Sequence, residues 1–195
     1  MGLFKRLRDP VSGLTHFIAA ILAVIGLVAL VVKASSPPRP WHLTTYIVFG
    51  AGMILLYAAS TLYHWLPLSG AGRTLLRRID HMMIFVLIAA TYTPFCLIPL
   101  RGPWGWTIFG TVWTVAVVGI VFKAFWIHAP RWLSAAMYVC MGWIVIIGIV
   151  PLVRSLPAGA LFWLFAGGVF YTTGALIYAV KRPDPLPRVF GFHEI

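Results

Sequence analysis

The chain has 195 residues, 61% hydrophobic and 10% charged, with a mean hydropathy of +0.94. Soluble domains are about 45–50% apolar and about 25% charged, so this composition excludes a soluble fold and leaves no room for a separate soluble domain. The formal net charge of +11 does not point to nucleic acid, because the basic residues sit in short connections between apolar blocks and form no compact basic face.

Six apolar blocks follow in chain order, at about 14–32, 43–62, 82–100, 104–125, 132–153 and 160–180. Each approaches the roughly 20 residues that a helix needs to cross a bilayer. The expected fold is therefore all-α, a polytopic transmembrane helix bundle forming one domain. The first block follows Lys5, Arg6 and Arg8 as a signal peptide would. Asp9, Pro10 and His16 interrupt that approach, and the block exceeds a usual h-region of about 7–15 residues, so it reads as an uncleaved first helix. Arg6 stands where a myristoylation signal carries Ser or Thr. The connections hold turn chemistry: Ser35-Ser36-Pro37-Pro38-Arg39-Pro40, Ser69-Gly70-Ala71-Gly72, Arg101-Gly102-Pro103 and Arg182-Pro183-Asp184-Pro185. Cys96 and Cys140 lie inside apolar blocks without CxxC spacing and read as buried, reduced small hydrophobes.

If the helices alternate, Lys33, Arg39, Arg101 and Arg154 fall on one side of the membrane and every other Lys and Arg on the opposite side. The positive-inside rule then places the N-terminus in the cytoplasm. That same side receives all four acidic residues, Asp9, Asp80, Asp184 and Glu194, and every histidine except His42. Ser60 and His64 close the second block one helical turn apart, Asp80 opens the third, and His193 follows the sixth.

Ionisable groups at the edge of a bilayer core are costly to place and are commonly functional. Neutral imidazole is a frequent metal ligand, and Asp or Ser can orient such a ligand from behind. Each residue also has a structural reading. Ser60 can bond its own helix backbone, and His64 can be a satisfied interfacial residue. Asp80, beside Arg77 and Arg78, can cap a helix or form an ion pair. His128 reads as structural, and His16 fits either role. Trp41, Trp65, Trp104 and Trp132 sit at block ends as an interfacial belt. The residues alone leave the metal site and the structural reading both open.

Five segments carry a resemblance to a known family. They are Asp9-Pro10-Val11-Ser12-Gly13-Leu14-Thr15-His16, Ser60-Thr61-Leu62-Tyr63-His64, Asp80-His81-Met82-Met83-Ile84 with Thr91-Tyr92-Thr93-Pro94-Phe95, Gly167-Gly168-Val169-Phe170-Tyr171-Thr172-Thr173-Gly174, and Phe190-Gly191-Phe192-His193-Glu194-Ile195. In order and spacing they resemble the hemolysin III family, which belongs with the progestin and adiponectin receptors and, more distantly, the alkaline ceramidases. The resemblance implies a seven-helix membrane protein with a cytoplasmic N-terminus and a zinc ion held by three histidines near the cytoplasmic edge. It implies that His64 and His193 are zinc ligands and that Ser60 and Asp80, the candidate catalytic residues, support those ligands from behind or orient water. The family's remaining histidine would follow His193 by four positions and open a seventh helix. The sequence stops short of both, so six spans and an incomplete zinc site are expected.

Three functions follow. The first is a zinc-dependent hydrolase acting on membrane lipid amides or esters, in which zinc activates water and Ser60 and Asp80 stabilise the developing charge. The second is a pore-forming cytolysin, which the absence of a polar stripe on any block supports little. The third is a receptor-like regulator of membrane lipid composition. The expected partners are membrane lipids and zinc, and the expected location is the cell membrane, as a multi-pass protein.

Overall fold

A computed structural model describes residues 7–186 and 190–194. Lys5, Arg6 and Arg188, which enter the loop-charge argument, and Ile195, which closes the last family-like segment, lie outside the described residues. The described residues are helical, with no strand among them. The order is α1 (Pro10–Ser35), α2 (Pro40–Trp65), α3 (Gly70–Leu97), α4 (Pro103–Phe125), α5 (Arg131–Gly142), a 3-10 stretch (Trp143–Gly148), α6 (Ile149–Ser155) and α7 (Ala158–Val180). α5, the 3-10 stretch and α6 together make one crossing, so six spans of 23 to 28 residues result. At about 1.5 Å per residue each exceeds the roughly 30 Å hydrocarbon core. Pro10, Pro40 and Pro103 each start a helix, where a missing N–H costs nothing and the fixed φ is already helical.

Two expectations are corrected. α3 begins at Gly70 rather than at the apolar block, because the segment holding Arg73, Arg77 and Arg78 continues the helix beyond the membrane core. Asp80 therefore lies about three turns inside α3 and is buried, so it does not cap the helix. Cys140 is exposed rather than buried, since it occupies the outward face of α5.

α3 is the central helix. Phe85, Ala89, Tyr92 and Cys96 pack with Val112 and Ala116 of α4, Met141 of α5 and Leu152 of α6. Gly119 lets α4 close on this layer: a Cβ there would overlap the Phe85 ring. The 3-10 stretch frees backbone groups that lipid cannot satisfy. Tyr92 satisfies them, donating its hydroxyl proton to the Gly142 carbonyl and accepting the Val145 N–H at 2.9 Å. α1 and α7 form the rim. Leu22, Val32, Phe162, Trp163 and Phe170 are exposed along them, as lipid-facing side chains are. These spans make the chain a multi-pass membrane protein.

Candidate metal and polar site

One cavity of about 540 Å³ opens at the end of the bundle where α2 ends and α3 and α5 begin. All four carboxylates of the chain line it, together with His64, His81 and His193.

The site is assembled around the last turn of α2. The approach to α1 pairs with that turn: the Asp9 N–H donates to the His64 carbonyl at 2.9 Å, and the Trp65 indole N–H donates to the Pro10 carbonyl at 3.3 Å. This brings the Asp9 carboxylate to 3.2 Å from His64 Nδ1. The Arg8 guanidinium holds the same oxygen at 2.7 Å. A carboxylate can only accept, so Nδ1 of His64 carries the proton and Nε2 presents its lone pair. That Nε2 stands 3.2 Å from Nε2 of His193. The His16 ring stacks on His64 with centroids 5.5 Å apart and planes 3° apart. Its own Nδ1 is 2.7 Å from the Ser12 carbonyl, to which it donates.

His193 arrives on the segment after α7, which is folded by its acidic residues. The Asp184 carboxylate accepts the Phe192 N–H at 3.1 Å, and Glu194 accepts the Gly191 N–H at 2.7 Å. The Ser12 hydroxyl donates to Glu194 and ties this segment to α1. Partial burial pushes the Asp9 carboxyl upward, but the hydrogen bonds from Arg8 and His64 outweigh it and hold the group below the usual carboxylate range. Glu194 behaves likewise: burial raises it, and the bonds from Ser12 and the Gly191 N–H more than compensate. His193 keeps an exposed face, yet desolvation by the surrounding protein lowers its pKa, and the neighbouring Glu194 only partly offsets this. The shift favours the neutral imidazole, the form in which histidine binds a metal.

Of the residues singled out in the sequence, His64, Asp80 and His193 line the one cavity. Ser60 is buried one turn before His64, and its side chain interacts with the Asp80 carboxyl. His128 is exposed and outside the site. The Nε2–Nε2 spacing of 3.2 Å is close to the edge of a tetrahedron with Zn–N bonds of about 2.0–2.1 Å, which is about 3.3–3.4 Å. A carboxylate behind one imidazole is the usual support of a zinc-binding histidine. The pair thus fits two positions of a zinc centre. Among the described residues, no group of three or more His, Cys, Asp or Glu side chains stands close enough to hold one ion.

Sequence reasoning missed the role of Asp9, whose partner lies 55 positions away. It also missed Lys123, which is fully buried at the end of α4 and donates to the Ser134 hydroxyl of α5.

Comparison with known proteins adds to this geometry. The family described as Haemolysin-III related matches residues 4–195. The Hemolysin-3 homolog of Bacillus subtilis (strain 168) is 38% identical over 180 residues, covering 92% of this chain and 84% of that protein. Hemolysin-3 of Bacillus cereus is 40% identical over 175 residues, covering 90% of this chain and 80% of the relative. More distantly, the human monocyte to macrophage differentiation factor is 23% identical over 171 residues, covering 84% and 68%.

Proposed function

Because the chain belongs to the hemolysin III family of multi-pass membrane proteins, we propose that it is a zinc-dependent hydrolase of membrane lipid amides or esters, acting at the cytoplasmic leaflet with its N-terminus inside. The observation that carries the reading is the line from Asp9 through His64 to His193, with the two Nε2 atoms 3.2 Å apart at the cavity wall. The chemistry a zinc ion supplies when bound is polarisation of a carbonyl and activation of water near neutral pH. His64 and His193 would hold the ion. Asp9 fixes the His64 tautomer and ring plane, so the lone pair stays aimed into the cavity. Asp80, buried beside Ser60 and lining the same cavity, would accept a proton from water. Ser60 orients that carboxyl. The excess of Lys and Arg in the connections at this end supports the cytoplasmic placement.

The test measures zinc per chain by elemental analysis and turnover of a fluorescent lipid amide and a lipid ester in micelles. His64→Ala should lose both bound zinc and turnover while helical content by circular dichroism is unchanged. Turnover that survives His64→Ala would remove the hydrolase reading.

A further inference from the structure

The cavity has a second set of residues that the histidine pair does not use. Arg73 and Arg77, four apart on α3, and Arg131 at the start of α5 all line it. Basic residues at a membrane edge commonly serve only topology, but these three differ in their surroundings. Every carboxylate in the chain lines the same cavity, yet none forms an ion pair with them among the described residues. Asp9 is taken by Arg8 and His64, Glu194 by Ser12 and the Gly191 N–H, Asp184 by the Phe192 N–H, and Asp80 is buried beside Ser60. The guanidinium of Arg131 is held over the rings of Tyr178 and Phe192, at 5.7 and 5.6 Å from their centroids. His81, one further turn along α3, lines the same wall.

We infer that Arg73, Arg77 and Arg131 form a binding site for a phosphate group, adjoining the His64–His193 pair in the same cavity. A phosphate oxyanion matches this set because guanidinium forks bind it bidentately and with charge. The volume of about 540 Å³ accommodates a headgroup-sized ligand. A membrane lipid whose chains stay in the bilayer can present the group, and so can free phosphate; the chemistry is shared.

The experiment uses the full chain in neutral detergent with EDTA present, so that neither bound metal nor turnover contributes. Dioleoyl phosphatidic acid, dioleoylglycerol and sodium phosphate are titrated separately, with binding read by native mass spectrometry and thermal shift. Phosphatidic acid should bind at least about tenfold tighter than dioleoylglycerol, and the double variant Arg77→Gln/Arg131→Gln should remove at least about tenfold of that affinity, the effect of losing charge-assisted pairs. Arg77→Lys/Arg131→Lys should retain an intermediate affinity, which keeps the test valid if the glutamine pair folds poorly. Arg39→Gln/Arg154→Gln, at the other end of the bundle, should change nothing. Competition by millimolar sodium phosphate would support the site and assign it to the free ion; its absence, with tight phosphatidic acid binding, would assign it to a lipid. Equal binding of phosphatidic acid and dioleoylglycerol, or equal losses in the two glutamine pairs, would overturn the inference. Neither result bears on zinc content, so this site and the hydrolase reading can fail independently.

Discussion

The two ends of the bundle carry cavities of nearly equal size, about 540 and 530 Å³, and share almost no chemistry. The second is lined by Trp104, Ile147, Val150, Pro151, Arg154 and Ser155, without a carboxylate or an imidazole. Volume therefore says little about what either end does. What separates them is the cost of placing ionisable groups beside hydrocarbon. Only one end meets that cost with partners: a backbone pairing that delivers Asp9 to His64, a hydroxyl that anchors Glu194, and a serine beside Asp80.

The sharpest way to break the comparison is to remove one partner and leave the two imidazoles in place. Asp9→Ala should weaken zinc binding about 10–100-fold, the usual effect of losing the group behind a metal-binding histidine. Competition with a chromophoric chelator would measure it. Trp104→Ala/Arg154→Gln, at the opposite end, should leave that affinity unchanged. An equal loss from both variants would mean that the bundle as a whole, rather than the Asp9 contact, governs the metal.

Between the ends, the interior sets how well the two are held together. Tyr92→Phe removes the hydroxyl that both donates to Gly142 and accepts from Val145. Leaving the Val145 N–H buried without a partner should cost about 1–3 kcal/mol, read as a shift in an SDS-unfolding midpoint, with zinc binding in the folded fraction preserved. If stability does not change, the 3-10 stretch has another source of satisfaction.

The six crossings were legible because apolar blocks of bilayer length have one dominant reading. The 3-10 stretch was not: Trp143–Gly148 is as apolar as its flanks, and hydropathy is blind to local helix pitch. Pro151 carried the available signal, since it cannot donate to the helical carbonyl four residues earlier. The start of α3 was misplaced for the converse reason: hydropathy registers Arg73, Arg77 and Arg78 as loop, while the backbone continues as helix through them. At the site, His64 and His193 could be brought together from the alternation of helices and the family-like segments. Asp9 could not, because the contact that places it runs between the approach to α1 and the last turn of α2 and leaves no periodicity in either.

The smallest expected effect tests the tie between the segment after α7 and α1. Glu194 is held below its ordinary value of 4.5 because the hydrogen bonds from Ser12 and Gly191 outweigh its partial burial. A carboxylate with a depressed pKa in the folded state contributes stability that is present above its unfolded value and lost as pH falls through the folded one. The segment carrying His193 should therefore stay tied to α1 at neutral pH and loosen only in acid, below the ordinary carboxylate range. Ser12→Ala removes both that tie and the strongest of the stabilising bonds, so the Glu194 pKa should rise toward 4.5 and the segment should already be looser at neutral pH. Titration of the Glu194 carboxyl carbon by NMR, in protein and variant, reads this directly. The Asp9 titration should be unmoved by the same substitution, since its partners are Arg8 and His64. A Glu194 titration unchanged by Ser12→Ala would mean that the Gly191 turn alone holds the carboxylate. His193 would then be positioned by its own segment rather than by α1.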